Sequence, residues 1–388
     1  MSRETRSPSW RELRQPALLV WALYLFLVPF YIFKSGLPQP GDIMIIVLVP
    51  VAFRHWNGKL PRASRVALRP LLYFTLWVCI VDYAWALLLG NFALFGPDTF
   101  VMFPLYYIYN ALLFVVALVL YQRFGDALLR ITLYALYATI VVQVGSSFIN
   151  QSTIRGSLFF NNPNQLGYYA LLGACMAVML HWRLRQSLIS SALALLGCGY
   201  LSLVSESRAA MAGIAILFAL LVFSSPRMVI LASLLAVGLF FVGGPVASVI
   251  DSSQDRARNR SANSEVSFLQ ERGYDRILAH KEYLVLGAGE GGLSRFSEIQ
   301  MEIHSSFGTV LFSYGAVGMV CFLLFMRRIV QGAPLRLVLV LVPPLLYAVA
   351  HQGLRFTTFW VLLAVFVTVK QETDVSFRRR RTRISFAR

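Results

Sequence analysis

The residues able to do chemistry in this chain are few, and several are cations beside apolar runs. Arg208 directly precedes one apolar run, and His304 precedes another; Arg272 and Arg276 lie in a more polar stretch. A guanidinium can bind phosphate oxygens through two parallel hydrogen bonds. An imidazole can exchange a proton near neutral pH. These residue types favour chemistry on a phosphate-bearing substrate.

Two plainer explanations stay open for these residues. Arg208 can extend its charged head to the membrane surface and pair with Glu206, two residues earlier. His304 can act as a polar cap at the start of a helix. Neither explanation needs a substrate.

The composition indicates which elements must position these residues. Hydrophobic residues make up 57% of the 388 residues and charged residues 14%, whereas average soluble domains carry roughly 25% charged residues. This chain therefore has too little charge to cover a water-facing surface. We predict an all-α, polytopic integral membrane protein. Cytosolic enzymes, secreted disulfide scaffolds and disordered proteins are excluded.

Membrane-spanning helices need about 20 mainly apolar residues each. Twelve segments of the chain are candidates: 17–33, 41–53, 70–89, 100–121, 127–149, 165–182, 187–204, 209–223, 228–250, 307–326, 336–350 and 356–370. Pro50 in the second segment and the Pro343–Pro344 pair in the eleventh predict kinks, since proline removes a helix hydrogen bond.

The distribution of basic residues predicts the orientation of these spans. With the N-terminus inside and one crossing per span, cytoplasmic segments hold 24 of the 35 Lys and Arg residues and outer segments hold 11. This bias follows the positive-inside rule. The net charge of +17 is thus explained by membrane orientation. The basic tail favours anionic lipid headgroups over nucleic acid as a partner.

The predicted organisation has five parts. They are a cytoplasmic basic arm (1–16), transmembrane helices one to nine (17–250), a large outer loop (251–306), transmembrane helices ten to twelve (307–370) and a cytoplasmic basic tail (371–388).

The large outer loop contains two further patterns. Apolar residues recur at roughly helical spacing and predict an amphipathic helix lying on the outer surface: Ile277, Leu278, Tyr283 and Leu284. The following glycine-rich stretch, 286–292, predicts a tight turn or a close approach of the backbone to a ligand. No predicted strand precedes it, so it does not match a dinucleotide-binding motif.

Together these motifs resemble the O-antigen ligase and O-antigen polymerase superfamily of bacterial inner-membrane glycosyltransferases. The resemblance covers about residues 155–325 and rests on five motifs: Asn161-Asn162-Pro163-Asn164, Ser207-Arg208-Ala209, Arg272 followed by Leu286-Gly287-Ala288-Gly289, His304-Ser305-Ser306-Phe307, and Tyr314-Gly315-Ala316-Val317-Gly318. Ser305 stands where the family usually has Asn, and Tyr274 and Arg276 lie near a common Trp position. These departures leave the subfamily open.

The resemblance implies a fold similar to that of GT-C glycosyltransferases, in the bacterial inner membrane, with the active site facing the periplasm. The implied donor is a glycan on undecaprenyl diphosphate. By this resemblance Arg208 and Arg272 bind the diphosphate, and His304 activates or positions the acceptor hydroxyl. We expect these three side chains to converge on one cavity.

Four more residues are candidates for substrate binding: Arg276, Asn164, Arg155 and Arg355. Arg155 and Arg355 lie in predicted outer segments far from Arg208 in the sequence, so they could form a second basic cluster. No cofactor is expected. We also expect a metal-independent reaction, because the first outer loop, about 34–41, lacks the acidic pair that holds a metal in many membrane glycosyltransferases.

Three functions stay open at this point. Two lipid-diphosphate substrates would suit two basic clusters, which favours polymerisation of O-antigen or exopolysaccharide repeat units; a flippase and a chain-length regulator are then candidate partners. A ligase would instead transfer finished glycan to lipid A–core. A twelve-span transporter is the remaining alternative, but the sequence shows no internal repeat.

Overall fold

A computed structural model describes residues 10–34, 37–96, 98–149, 156–222, 268–296 and 302–370. These residues form helices and loops and contain no strand. Eleven of the described helices have ten residues or more, and we number them in chain order: α1 (Pro16–Leu27), α2 (Ile45–Arg54), α3 (Arg62–Leu88), α4 (Met102–Phe124), α5 (Asp126–Ile149), α6 (Pro163–Leu184), α7 (Leu188–Val204), α8 (Arg208–Val222), α9 (Ser306–Val330), α10 (Leu335–Ala350) and α11 (Thr357–Lys370). Shorter helices are Trp10–Leu13, Pro40–Ile43, Phe268–Glu271, Tyr274–Ala279, Lys281–Tyr283 and Leu293–Arg295.

The all-helical fold agrees with the sequence prediction. Eleven of the twelve predicted spans coincide with α1–α11, and the ninth, 228–250, lies outside the described residues. Four of the described helices, α3, α4, α5 and α9, are long and apolar enough to cross a membrane, and five shorter ones are apolar. The number of crossings therefore remains a prediction.

The helix starts follow local sequence. Pro163 occupies the first turn of α6, where its missing N–H costs nothing. The side chain of Asn162 caps this helix by accepting a hydrogen bond from the Gln165 amide (3.0 Å). In α9 the cap is Ser305, whose hydroxyl accepts from the Gly308 amide (3.1 Å). His304 is therefore not the capping residue of α9.

Helix α6 lies at the centre of the bundle. Sixteen of its residues are buried, and it packs against α5, α7, α8 and α10. Small residues permit the close contacts: a Cβ on Gly213 of α8 would lie 2.7 Å from the Leu171 side chain of α6. One turn further along α6, the Cys175 thiol donates to the Val340 carbonyl of α10 (3.3 Å).

Alternating helix directions divide the loops between two ends of the bundle. We call one the site end; it contains 28–34, 37–39, 89–96, 98–101, 156–162, 205–207, 268–296, 302–305 and 351–356. The other, the far end, contains 55–61, 125, 185–187 and 331–334.

Contacts between loops define the site end. The Tyr31 amide donates to the Phe159 carbonyl (2.9 Å), and the Ser306 amide donates to the His351 carbonyl (3.2 Å). Helix α8 runs away from this end, and the next described residues, from Phe268 onward, lie at it again. Predicted inner and outer loops thus separate onto opposite ends of the described bundle.

The segment predicted to form an amphipathic helix contains a short helix, Tyr274–Ala279, followed by the turn Lys281–Tyr283. Ile277 and Tyr283 pack against a small apolar cluster that includes Phe312 of α9. Leu278 is exposed. This segment therefore rests on α9 through one face.

Candidate functional site

A break in α9 organises the site end. Gly315 leaves the helical conformation, with φ 65° and ψ −170°. Beside this break, the Ala288 amide donates to the Phe312 carbonyl (3.0 Å) and the Gly289 amide donates to the Ser313 carbonyl (2.9 Å). The glycine-rich loop thus supplies hydrogen-bond donors at the point where the helix is interrupted, as backbone buried in a membrane protein requires.

The glycines allow this close approach. Gly287 and Gly289 have positive φ values of 100° and 73°. A Cβ on Gly287 would lie 2.6 Å from the Tyr314 Cα, and one on Gly291 would lie 2.7 Å from the Thr99 carbonyl carbon. The sequence predicted a tight turn or a close approach of backbone to a ligand; the observed close approach is to the backbone of the protein itself.

Arg295 binds two backbone carbonyls of the glycine-rich loop. Its guanidinium donates to the Ala288 carbonyl (2.5 Å) and the Gly291 carbonyl (3.1 Å). It also lies over the Trp85 ring, 4.6 Å from the centroid. The Trp85 indole N–H donates in turn to the Gly287 carbonyl (3.1 Å). The loop is therefore fixed at several points to α3.

The loop carries a buried carboxylate, Glu290, whose side chain is 4% exposed. Its Oε2 accepts from the Tyr314 hydroxyl (2.8 Å) and the Tyr107 hydroxyl (3.1 Å). Its Oε1 accepts from the Gln352 amide (3.3 Å). Burial raises the pKa of Glu290, although the charge of Arg355 acts in the opposite direction.

A second carboxylate, Asp82 of α3, lies beside Glu290 and is fully buried. Its Oδ1 accepts from the Glu290 backbone amide (2.7 Å), and its Oδ2 lies 3.1 Å from the Tyr314 hydroxyl. A tyrosine hydroxyl has one proton, so Tyr314 donates fully to one of the two carboxylates at a time. Asp82, a carboxylate deep within a predicted span, therefore fixes the backbone of the loop.

Arg355 connects this buried pair with the loop before α9. Its Nε lies 3.4 Å from Glu290 Oε1. Its Nη1 donates to Glu302 Oε1 (3.3 Å) and its Nη2 donates to Glu302 Oε2. The Arg355 charge holds the pKa of Glu302 below its usual range. Burial lowers the pKa of Arg355 itself, but Glu302 and Glu290 outweigh it and raise the value overall.

His304 is exposed and held by two backbone carbonyls. Its Nδ1 lies 2.9 Å from the Glu302 carbonyl oxygen, and its amide donates to the Arg272 carbonyl (3.0 Å). A carbonyl oxygen can only accept, so the proton of the neutral imidazole resides on Nδ1. The basic nitrogen is therefore Nε2.

Arg272 itself reaches the end of α10. Its guanidinium donates to the Ala350 carbonyl (2.6 Å), and the nearby Tyr274 hydroxyl donates to the Val349 carbonyl (2.6 Å). These contacts satisfy carbonyls at a helix C-terminus, where cations are favoured. Arg272 thus has a structural role beside His304.

Arg276 is buried, with its guanidinium 5.4 Å from the centroid of the Phe296 ring. It lines a cavity of about 10 Å³ together with Glu290, Glu302 and Ser313. This volume is close to the minimum that holds one water molecule. The cavity is too small for a sugar in this conformation.

Arg208 and Asn164 lie at the same end of the bundle and connect through α6. A Cβ on Gly167 would lie 2.6 Å from the Ser207 Cβ, immediately before Arg208. The Tyr347 hydroxyl donates to the Asn164 carbonyl (3.0 Å), and the Tyr347 ring stacks on His351 at 4.5 Å. Arg208 is exposed at the first residue of α8.

The structure thus brings Arg272, Arg276, His304 and Arg355 close to Glu302 or to its chain neighbours. Arg355 binds the Glu302 carboxylate, and Arg276 lines the same cavity as Glu302. His304 donates to the backbone carbonyls of Glu302 and Arg272. Arg208 and Asn164 share the same end, and Arg155 lies outside the described residues. Arg355 was expected to belong to a second basic cluster. Its guanidinium binds Glu302, two residues before His304.

Sequence reasoning assigned no role to Glu290, Glu302, Tyr107 or Tyr314. Two signals were present in the sequence. Asp82 is the acidic residue deep in a predicted span, and Glu290 interrupts the glycine-rich stretch. Within the described residues, no group of three or more His, Cys, Asp or Glu side chains is placed to hold a metal ion.

Neither protein-family models nor curated proteins give a match to this chain. The functional interpretation therefore depends on the motifs of the sequence and on the geometry of the site end.

Proposed function

We propose that this protein is a glycosyltransferase of the O-antigen polymerase or ligase type in the bacterial inner membrane. It transfers a glycan from undecaprenyl diphosphate to the hydroxyl of an acceptor sugar, at the periplasmic face, without a metal. The observation that carries the proposal is the geometry of His304. An exposed imidazole has its Nδ1–H held by a carbonyl, and its neighbour Arg272 lies at the same end of an apolar helical bundle.

The proposed reaction is a single displacement at the anomeric carbon of the donor. His304 Nε2 takes the proton of the acceptor hydroxyl while that oxygen forms the new glycosidic bond. The bond between the anomeric carbon and the phosphate oxygen breaks, and the diphosphate leaves with the electron pair. The leaving group is already good, so the protein mainly needs to stabilise its charge.

Charge at the site end suits an anionic leaving group. Arg208 and Arg272 are the proposed ligands of the diphosphate. A guanidinium has five N–H groups, so the bond from Arg272 to Ala350 is compatible with phosphate binding. The N-termini of α6, α8 and α9 also face this end, and helix N-termini favour anions.

Polymerisation of repeat units remains the first choice and ligation to lipid A–core the alternative. The preference for polymerisation depends on a second basic cluster. Arg355, one candidate member, faces two carboxylates instead, and Arg155 lies outside the described residues. The surface glycan of a strain that lacks the gene distinguishes these two acceptors.

The proposal is tested by deleting the gene in the organism that carries it and analysing the surface glycan. Loss of polymer with single repeats on core supports a polymerase, and unlinked long polymer supports a ligase. Wild type and His280→Ala should restore the glycan, whereas His304→Ala should not. His280 is the matched control because it is another histidine at the site end. An unchanged glycan in the deletion strain would overturn the proposal.

The proposed orientation has its own test. Ser294 at the site end and Asn57 at the far end are both exposed. Cysteine at position 294 should react with an impermeant reagent in intact spheroplasts, and cysteine at position 57 should react only after lysis. The opposite result would place the site end in the cytoplasm and exclude a periplasmic reaction.

A further inference from the structure

The guanidinium of Arg355 has carboxylate neighbours at all three nitrogens. Nη1 and Nη2 face the two oxygens of Glu302, and Nε faces Glu290. The face of the guanidinium lies 5.3 Å from the centroid of the Phe103 ring. The fork that would bind a phosphate with two parallel hydrogen bonds is therefore already used on Glu302.

Hydrogen bonds from three elements fix the Glu290 carboxylate. Glu290 accepts from Tyr107 of α4, Tyr314 of α9 and Gln352 of the α10–α11 loop. Three elements thus fix the carboxylate that contacts Arg355 Nε. Arg355 is 22% exposed and Glu290 only 4%, so the contact is shielded from water and less weakened than a surface pair.

Glu302 connects Arg355 with the proposed base, His304. The Glu302 carboxylate binds Arg355, while the Glu302 backbone carbonyl accepts from His304 Nδ1 (2.9 Å). That bond sets both the tautomer and the ring orientation of His304. A shift of Glu302 would therefore move the nitrogen that must meet the acceptor hydroxyl.

We propose that Arg355 is a positioning residue, which acts through Glu302 on His304, and that it does not bind the donor diphosphate. The inference rests on the proposed function, because it concerns the placement of the base in that reaction. Glu290 anchors Arg355, Arg355 holds the Glu302 side chain, and the Glu302 carbonyl orients the imidazole.

The kinetic test uses purified protein and lipid-linked glycan extracted from the deletion strain. Arg355→Gln and Glu302→Gln should each lower kcat by roughly tenfold to a hundredfold, the cost of a misplaced catalytic group. The donor KM and the affinity for undecaprenyl diphosphate should stay as in the wild type. The double variant should be no slower than the slower single variant, because both substitutions disrupt the same interaction, that of Arg355 with Glu302.

Arg355→Lys supplies the rescue arm. It keeps a cation between Glu290 and Glu302 but loses the planar fork, so it should retain part of the kcat that Arg355→Gln loses, at an unchanged donor KM. The matched control is the far-end ion pair of Arg183 with Asp126, which lie 2.6 Å apart. Arg183→Gln and Asp126→Asn should leave kcat unchanged. Melting temperature and elution in detergent show that each variant is folded.

A donor-binding role predicts a different pattern. Arg355→Gln and Arg355→Lys would then raise the donor KM and weaken binding of undecaprenyl diphosphate, and Glu302→Gln would not. That pattern overturns the inference, and so does an unchanged kcat in both single variants.

A readout without glycan transfer separates this inference from the proposed function. Diethyl pyrocarbonate modifies the basic nitrogen of histidine, and mass spectrometry follows His304 alone. Its rate of modification should differ between wild type and Glu302→Gln. Equal rates would overturn the positioning role even if the wild type transfers glycan. If the modification rate of His304 changes but the wild type transfers no glycan, the positioning role is supported and the proposed function is overturned.

Discussion

The far end and the site end of the bundle treat buried charge differently. At the far end Lys370, nearly buried, donates to the carbonyls of Ile329 (2.7 Å), Gln331 (3.1 Å) and Arg328 (3.2 Å). Its ammonium thus satisfies carbonyls at the C-terminus of α9, where a cation is favoured. The far-end charge has a complete structural explanation.

At the site end, buried charges are held by other ionisable side chains. Asp82, Glu290 and Tyr314 form one hydrogen-bonded group, and Arg355 joins Glu290 to Glu302. Desolvation of several ionisable groups is costly, and such groups in a membrane protein commonly mark function. The comparison therefore distinguishes Lys370, whose charge is satisfied by backbone carbonyls, from the site-end group, in which several buried ionisable side chains bind one another.

The largest stability effect is expected where the glycine-rich loop meets α9. Gly287→Ala adds a Cβ that meets the Ser313 and Tyr314 backbone at a residue with φ 100°. Strain and overpacking together should cost about 2–5 kcal/mol. Gly332→Ala is the far-end control, because its φ is 79° but nothing lies within 4 Å of the added Cβ. Equal melting temperatures for the two variants would contradict the described loop insertion.

A smaller effect is expected at Arg208. Arg208→Ala should weaken binding of undecaprenyl diphosphate by roughly tenfold to a hundredfold, the loss of about 1.5–3 kcal/mol for hydrogen bonds to a charged group. Arg208→Lys keeps the charge without the fork and should fall between alanine and wild type. Arg123→Lys at the far end is the control. Wild-type affinity in both Arg208 variants would make Arg208 a general surface cation.

Lys370→Met should separate stability from activity. The substitution keeps an unbranched side chain but removes the donor to two carbonyls of α9 and to the Gln331 carbonyl just after it, so about 1–2 kcal/mol of stability should be lost. Turnover per folded molecule should be unchanged, because Lys370 lies at the far end. Melting temperature and kcat are the measurements. A reduced kcat with normal stability would argue that the two ends are coupled.

The smallest expected effect is a change in how the free energy of unfolding depends on pH. Burial raises the pKa of Glu290, so the folded protein holds this proton more tightly than the unfolded chain does. The free energy of unfolding should fall as pH rises from the unfolded-chain pKa of about 4.3 towards the raised value. Glu290→Gln cannot titrate and should show a flatter dependence. Equal changes of melting temperature with pH in wild type and variant above about pH 4.3 would contradict a raised pKa.

The sequence contained enough to predict the helical character and most helix positions. Long apolar runs are strong signals, so eleven predicted spans coincide with described helices. The glycines of 286–292 also predicted a close backbone approach. The partner in that approach was not predictable, because the break at Gly315 lies 28 residues after Gly287 and only tertiary packing brings the two together.

The candidate site was predictable in part. Arg208, Arg272 and His304 were expected to converge on one cavity. A backbone hydrogen bond joins His304 to Arg272, but the cavity at this end is lined by Arg276, Glu290 and Glu302 and by none of those three residues. The pairing of Arg355 with Glu302, 53 residues apart, depends on where the α10–α11 loop folds. A single sequence contains no pattern that specifies this pairing. Arg355 was predicted as a candidate for substrate binding in a second basic cluster, and its two carboxylate partners were not predicted.

The most direct test of the account is the turnover of His304→Ala on lipid-linked glycan extracted from the deletion strain. General-base catalysis typically contributes about 10²–10⁴-fold in rate. We predict that His304→Ala loses turnover by that factor while it folds and binds undecaprenyl diphosphate normally. EDTA should not change wild-type activity. Near-normal turnover of folded His304→Ala would contradict the account and leave the arginines without a base.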